Sequence, residues 1–377
     1  MIDKRAILVF TDWYYPGYRA GGPIRSLLNI VEQIDRPFFI ITRITDYNSL
    51  VPYPGLETKV WTKISDRIQV MYVRDEDMSF SFVEERIKER PYHRFYLNSL
   101  FSPLFTILPL RAIKKHHFSK KTIVAPRGML KSGALSVKSR KKKVFLVVAK
   151  LTGLYRNIIW HATSNTEAQE INQVFKNARV HIAEVLTALP DSKVSKIKKT
   201  SGKASFVSFS RISPEKGILE AIEFMLGIPN ECSFGLDIYG AVGDEAYAER
   251  CRMLIAESGK DIRLMGEISP YQLSELYAQY HFFLLPTWGE NFGHAISEAL
   301  LHATPVIISN KTPWSRLADR KAGWDLHLKE ADFVEVLKKA INMDQEEYSE
   351  WSTGAYEFGM ERAVNPKVLE ANRQLFA

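Results

Sequence analysis

At 377 residues, with 46% hydrophobic and 25% charged residues, the chain has a globular composition, which excludes a fibrous or intrinsically disordered protein. It is too long for one ordinary domain, and the size prior gives two of roughly 150–200 residues each. Its net charge is +8, and its two cysteines, Cys232 and Cys251, leave no room for a disulfide framework, which fits a reducing cytosol.

The opening "MIDKRAILVF" has too short an apolar run for a signal peptide and passes straight into a strand pattern, "RAILVF". No apolar run approaches the roughly 20 residues needed to span a bilayer, so the expectation is a soluble or peripheral protein. A Gly-rich loop, "YPGYRAGG", and the helical run "PIRSLLNIVEQI" follow, with Pro23 in the first turn, where its missing N–H costs nothing. The next strands are "FFIITR", "IQVMYV", "RFYLN", "KTIVAP" and "IIWHATS". Strands separated by helices imply right-handed crossovers and a parallel sheet covered on both faces.

The positive charge is concentrated in this half. From Arg90 to Thr166 there are 16 Lys and Arg and no Asp or Glu, so the rest of the chain is net −8. Within that stretch, in "KSRKKKVFLVVAKLTGLY", Val144, Val147, Val148, Leu151 and Tyr155 recur at helical spacing behind a Lys/Arg cluster. A basic amphipathic helix of this kind suits an anionic membrane surface, and the basic 111–156 segment is the expected contact. The plainer alternative is a surface helix whose apolar stripe faces the core. Nothing in the stretch matches a nucleic-acid-binding module, so no nucleic acid is expected.

The polar, Lys/Ser-rich "DSKVSKIKKTSGK", residues 191–203, reads as a linker. Beyond it the pattern restarts with "ASFVSFSR", "GILEAIEFML", "FGLDIYG", "AYAERCRMLIAES", "IRLMGE", "PYQLSELYAQY", "FFLLPT", "HAISEALLHA" and "PVIISN". Two Rossmann-like α/β domains are therefore expected, 1–190 and 204–354, with ligands in a cleft at the carboxyl ends of the strands. In "WGENFGHAISEAL" one carboxylate, Glu290, lies in a Gly-bounded loop after a buried strand, and a second, Glu298, lies in the helix that leaves it. Gly289 and Gly293 permit close backbone approach, and the free N–H groups of the helix start favour an anion or hydroxyl oxygen. By themselves, two such glutamates are more often structural than functional.

Several blocks together change that balance. "FLLPTWGENFGHAISEAL", "SFVSFSRISPEKGILEAIEF", "DIYG", "IRLMGEIS", "HATSNTEAQEI" and "YPGYRAGGPIRS" resemble, in order and approximate spacing, the retaining GT-B glycosyltransferases of glycosyltransferase family 4, the glycosyl transferases group 1. The likeness is best in the C-terminal half and looser between about Ile44 and Ile123. It implies a GT-B fold of two doubly wound domains facing across a cleft. The first would bind the acceptor and be completed by the C-terminal helix 355–377; the second would bind a nucleotide-sugar donor.

The resemblance also implies roles. Arg211 and Lys216 stand where the family binds the donor diphosphate, and fixed cations there stabilise the leaving group without a metal. A solvated turn capped by Ser213 is the plainer reading of the same residues. Glu298 resembles the carboxylate that takes the ribose hydroxyls, and Glu290 the one facing the donor sugar, with the N–H groups of Asn291, Phe292 and Gly293 nearby. The base would lie along the backbone around Arg263 and Leu264, and Gly21 and Gly22 resemble the loop that lets donor phosphates and acceptor approach the first helix. Many relatives carry a His near the anomeric centre; here "APRGML" offers Arg127 and Gly128, and an arginine cannot serve as a base, so Arg127 would position phosphate or acceptor. Asp75 and Asp77 in "RDEDM" have the D-x-D spacing of metal-dependent GT-A enzymes, but their place after a strand argues for a loop or helix start, and no metal is expected.

The expectation is a retaining, metal-independent hexosyltransferase, without cofactor, that moves a sugar from a nucleotide-diphosphate sugar to a glycan or lipid-linked acceptor, as in bacterial surface-polysaccharide assembly. It would be cytoplasmic, peripheral on the inner face of the plasma membrane. A GT-B-shaped sugar-nucleotide epimerase and a non-catalytic glycan-binding member are the alternatives.

Overall fold

The computed structural model describes residues 5–131, 139–190, 196–269 and 272–377. The start of the chain, Lys138 of the basic run, residues 191–195 of the expected linker and the first two residues of "PYQLSELYAQY" lie outside them. The chain forms two units, Met1–Leu186 with Pro366–Ala377, and Thr187–Asn365.

In the first unit β1 (Ile7–Phe10), α1 (Gly22–Gln33), β2 (Phe38–Arg43), β3 (Trp61–Lys63), β4 (Ile68–Val73), α2 (Phe80–Lys88), β5 (Arg94–Leu97), α3 (Leu108–Lys115), β6 (Thr122–Val124), α4 (Ser139–Leu151), β7 (Ile159–Ala162), α5 (Asn165–Val174) and β8 (Arg179–Ile182) follow in order. They make one sheet in the order β3-β4-β2-β1-β5-β6-β7-β8. All neighbours are parallel except β3 on β4. Strand side chains point alternately to the two faces. Accordingly Leu8 and Phe10 enter one apolar layer and Ile7 and Val9 the other, all fully buried. Burial on both faces is why "RAILVF" reads as a continuous apolar run.

The second unit contains β9 (Lys203–Phe209), α6 (Ile218–Leu226), β10 (Ser233–Tyr239), α7 (Glu245–Ser258), β11 (Ile262–Gly266), α8 (Leu273–Tyr277), β12 (Phe282–Leu285), α9 (His294–Leu301), β13 (Val306–Ser309), β14 (Gly323–Leu326), α10 (Glu330–Asn342) and α11 (Gln345–Ala363). Its sheet is wholly parallel, in the order β11-β10-β9-β12-β13-β14. The expectation of two doubly wound α/β units is met. Three strands escape the sequence patterns: β3 is only three residues long at an edge, β8 is half exposed, and β14, "GWDL", carries a Gly and an Asp.

Two expectations about the joints need correction. Residues 196–203 are not a free linker, because Lys199 is buried and its Nζ donates to the carbonyls of Ile341 (2.7 Å) and Met343 (2.9 Å), closing the end of α10. The return to the first unit comes at Pro366, later than residue 355. Ala355 is buried with the α9 residues Ala299 and Leu300, and a Cβ on Gly359 would meet Leu300 at 3.0 Å. Helix α11 therefore stays with the second unit, and the chain breaks before Pro366, whose ring disfavours helix in the residue ahead of it. Helix α12 (Pro366–Leu375) then seals the first unit, with Phe376 5.8 Å from Phe38 and 5.5 Å from Tyr96.

Candidate functional site

In a parallel sheet the crevice opens where the strand order reverses direction. In the second unit that switch lies between β9 and β12, so the loops after Phe209 and Leu285 are neighbours. They are tied together through one carbonyl: Glu215 O accepts from the Trp288 N–H (3.0 Å) and the Thr287 hydroxyl (2.8 Å). Gly217 makes this possible. Its φ is +67°, and a Cβ there would stand 2.0 Å from Pro286 O.

Across this junction Lys216 Nζ meets Glu290 Oε1 at 2.5 Å, with the two side chains only 18% and 13% exposed. The Glu290 N–H is held by Lys311 O (3.1 Å), from the loop after β13. Arg211, two residues beyond β9, turns its guanidinium to Glu215 (3.4 Å) and is more exposed. Two cations and two carboxylates are thus gathered at the switch point. Ser213 has the extended backbone of a cap, but its side chain makes no capping bond and its buried Oγ has no partner among the described residues. The expected capped turn is therefore incomplete.

Asn291, Phe292 and Gly293 lead into α9; Gly293 caps it in the left-handed conformation (φ +81°), and Phe292 O accepts from the Trp314 indole at 2.6 Å. Glu298 is half-buried in the second turn of α9. Arg263 and Leu264 lie on β11, but the Arg263 side chain is taken by Asp237 in a two-bond ion pair (2.6 and 3.0 Å), and the Tyr280 hydroxyl donates to the same carboxylate (2.6 Å). Nothing in "IRLMGE" reveals this anchor, since Asp237 and Tyr280 come from distant segments.

The first unit repeats the topology. Its switch lies between β1 and β5, and the Asn98 amide, just after β5, donates to Pro23 O (3.1 Å) at the start of α1. Gly21 caps α1 with φ +71° and ψ −126°, a conformation open to glycine alone, and Gly22 begins the helix. Arg127, after β6, donates from Nε to Asn98 Oδ1 and from a terminal nitrogen to the Tyr96 hydroxyl, both at 2.8 Å. Its other terminal nitrogen is buried without a partner among the described residues. The structure thus brings Arg127 to the Gly21–Gly22 turn through Asn98.

Behind Arg127 runs a polar chain not foreseen from sequence. His161 Nε2 lies 2.9 Å from Ala183 O, an acceptor only, so Nε2 carries the proton, and Nδ1 accepts from Tyr96 (2.9 Å). Tyr96 in turn accepts from Arg127. Beside it Glu167, fully buried, accepts from the N–H groups of Gly128 (2.6 Å) and Thr163 (2.7 Å). The signal was present as a His and a Glu at inward positions of "HATSNTE". Ser164 caps α5, its hydroxyl accepting from the Glu167 N–H at 3.1 Å.

Burial and the nearby Arg127 push the His161 imidazole down to about 3. The unfolded chain takes up this proton as pH falls through about 6.5, while the fold refuses it until about 3, so stability is full above 6.5 and drains away below. At pH 5 the loss is roughly 2 kcal/mol. A His161→Gln variant is expected to show a smaller drop in melting temperature between pH 7.5 and pH 5 than the parent. An unchanged drop would acquit His161.

Asp75 and Asp77 sit in a short 3-10 turn in ion pairs, with Arg43 (2.7 Å) and Lys59 (2.5 Å) respectively.

Comparison with known proteins agrees with this geometry. Residues 191–358 match the family model for glycosyl transferases group 1. HepE of Anabaena, solved with UDP and glucose, superposes with a TM-score of 0.67 at 16% identity over 98% of both chains. Sucrose-phosphate synthase of Thermosynechococcus elongatus does so with 0.71 at 16% identity over 98% of both. WaaG, a glycosyltransferase involved in lipopolysaccharide biosynthesis, gives 0.63 at 14% identity over 98% of this chain and 99% of its own. At such identities the likeness shows the fold, which is that of GT-B glycosyltransferases. We found no match among curated proteins. Fold and matched domain are thus similar to those of the GT-B glycosyltransferases, and the residues that match the glycosyl transferases group 1 model lie within the second unit.

Proposed function

We propose that the protein is a retaining, metal-independent hexosyltransferase of glycosyltransferase family 4, acting on a glycan or lipid-linked acceptor in surface-polysaccharide assembly. The observation that carries this reading is the Lys216–Glu290 pair at the β9/β12 switch point, with Arg211 beside it. In this reading the second unit holds the donor. Arg211 and Lys216 take the diphosphate, Glu298 the ribose hydroxyls, the Arg263–Leu264 backbone the base, and Glu290 with the N–H groups of Asn291, Phe292 and Gly293 the sugar. Fixed cations need no reorganisation as the bond from the anomeric carbon to the diphosphate breaks. The new bond to the acceptor oxygen forms on the same face, and the acceptor proton passes to the departing phosphate oxygen. The first unit holds the acceptor, with Gly21 and Gly22 allowing close approach and Arg127 positioning an anionic group.

Among the described residues no helix is long and apolar enough to cross a membrane. We place the protein in the cytoplasm, peripheral on the inner face of the plasma membrane. HepE is solved with UDP-glucose, which makes UDP the first nucleotide to try. Thermal unfolding with UDP, GDP, ADP and CMP, each with and without magnesium, tests the donor site. A ligand at 100 times its dissociation constant adds about 2.7 kcal/mol to the native state. One nucleoside diphosphate is expected to raise the melting temperature, independently of magnesium, and to lose its effect in Glu298→Ala. A rise that requires magnesium would sink the metal-independent mechanism, and no rise with any nucleotide would favour a non-catalytic protein.

A further inference from the structure

Helix α4 turns its apolar stripe outward. Leu146 and Ala149 pack on the core, and Phe145 meets Phe101 edge-on at 5.6 Å. A helix advances about 100° per residue, which places Val144, Val147, Val148 and Leu151 together in an arc about 100° wide on the opposite side. They are 64%, 56%, 50% and 83% exposed. Arg140, Lys141, Lys143 and Lys150 border that arc. This overturns the plainer expectation of a stripe facing the core. Tyr155, expected on the same stripe, lies past the helix end and is buried, its hydroxyl donating to Leu100 O at 2.6 Å.

The end of α4 borders a cavity of about 820 Å³ walled by Tyr155, Trp160 and Phe175, with the last two rings stacked 4.7 Å apart. Five cations line it, Lys120, Lys150, Arg156, Lys176 and Arg179, and among the described residues no carboxylate does. Among the described residues no salt bridge engages any of the five. They come from segments that enter or begin β6, β7 and β8, so the cavity lies at the amino ends of the strands. The loops carrying Gly21, Asn98 and Arg127 follow carboxyl ends, so this is a separate site.

Like charges gathered without counterions repel one another, and a phosphate relieves that repulsion while matching Lys and Arg as donors. A soluble polyanion would use the cations alone. Only a phase with an anionic surface and an apolar interior uses the valine–leucine ridge as well, and Lys150 and Leu151 are adjacent on one helix. We propose that this face of the first unit docks on an anionic bilayer, the Val144–Leu151 ridge entering the headgroup layer and the five-cation cavity taking a phospholipid phosphate. This supplies a binding site for the peripheral location given above and is independent of the transfer chemistry.

The test is co-sedimentation of the full chain with vesicles of phosphatidylcholine alone and of phosphatidylcholine with phosphatidylglycerol. Binding is expected only to the anionic vesicles and is expected to weaken as salt rises. Lys150→Gln, Arg156→Gln, Lys176→Gln and Arg179→Gln combined should weaken it about six-hundredfold, at roughly fivefold per charge. Val147→Ser with Leu151→Ser should weaken it about tenfold. All six residues are exposed, so unchanged melting temperatures serve as the folding control. Equal binding to both vesicles, binding to neither, or full binding by both variants overturns the proposal. So does retention of a single-stranded oligonucleotide in place of vesicles, a rise in melting temperature with glycerol 3-phosphate but no sedimentation, or a vesicle-independent dimer that the serine variant dissolves. The nucleotide shifts read the donor site in the same preparation, so either result can fail while the other holds.

Discussion

Glu290→Gln will lower the rate of nucleoside diphosphate release from the donor sugar by about 10²–10³-fold, the usual consequence of removing one pre-organised electrostatic group. Glutamine keeps the size of the side chain and an oxygen to accept from Lys216, so the melting temperature should move little. What is lost is the negative charge proposed to face the sugar, where positive charge develops as the anomeric bond breaks. Lys216→Met is expected to cost a similar factor by removing a diphosphate cation, and it also leaves Glu290 without its 2.5 Å partner. Because the two groups touch, the double variant should fall short of the product of the singles. The measurement is initial rate with the nucleotide sugar whose diphosphate stabilises the fold. Glu290→Gln activity within threefold of the parent would remove Glu290 from the mechanism.

The largest effect on stability is expected at Gly217. Alanine there must hold φ near +67° and place its Cβ 2.0 Å from Pro286 O and 2.8 Å from Pro286 C, both backbone atoms that cannot swing aside. The left-handed conformation costs about 1 kcal/mol and the overlap about 1–3 kcal/mol more. For a unit of this size that lowers the melting temperature by roughly 5–15 °C. The same shift would part the β9 and β12 loops and with them Lys216 and Glu290, so nucleotide binding should also weaken. Gly259→Ala is the control. Its φ is +62°, yet no atom lies within 4 Å of the added Cβ, so only the conformational cost applies. Equal losses in the two variants would show that the approach to Pro286 does not matter.

Much of the second unit was legible in the chain. The strand ahead of each candidate loop is a short apolar run and each helix after it has an amphipathic period, so Arg211, Lys216 and Glu290 could be set in loops after strands, and Glu298 in the helix that follows, before any coordinates. The first unit was less open to reading. Arg127 could be named, but its partners Asn98 and Tyr96 lie some thirty residues upstream on a neighbouring strand. Hydrogen bonds between strands leave no local period in a sequence.

Local pattern thus decided the fold class and the order of all but the three weakest strands, because buried strands and half-buried helices impose their periods on neighbouring residues. Tertiary structure alone decided which groups meet and which way each face turns. Glu290 pairs with Lys216, 74 residues away. Arg263 pairs with Asp237, 26 residues away. Residues 196–203 are fastened to the second unit through the buried Lys199, although they read as a linker, and α11 stays whole on that unit, although residues from 355 onward read as completing the first. The valines of α4, periodic enough to suit a core, face outward because Leu146 and Ala149 take the inner side. Periodicity shows that a helix has two faces; only the packing of its neighbours determines which of them is covered.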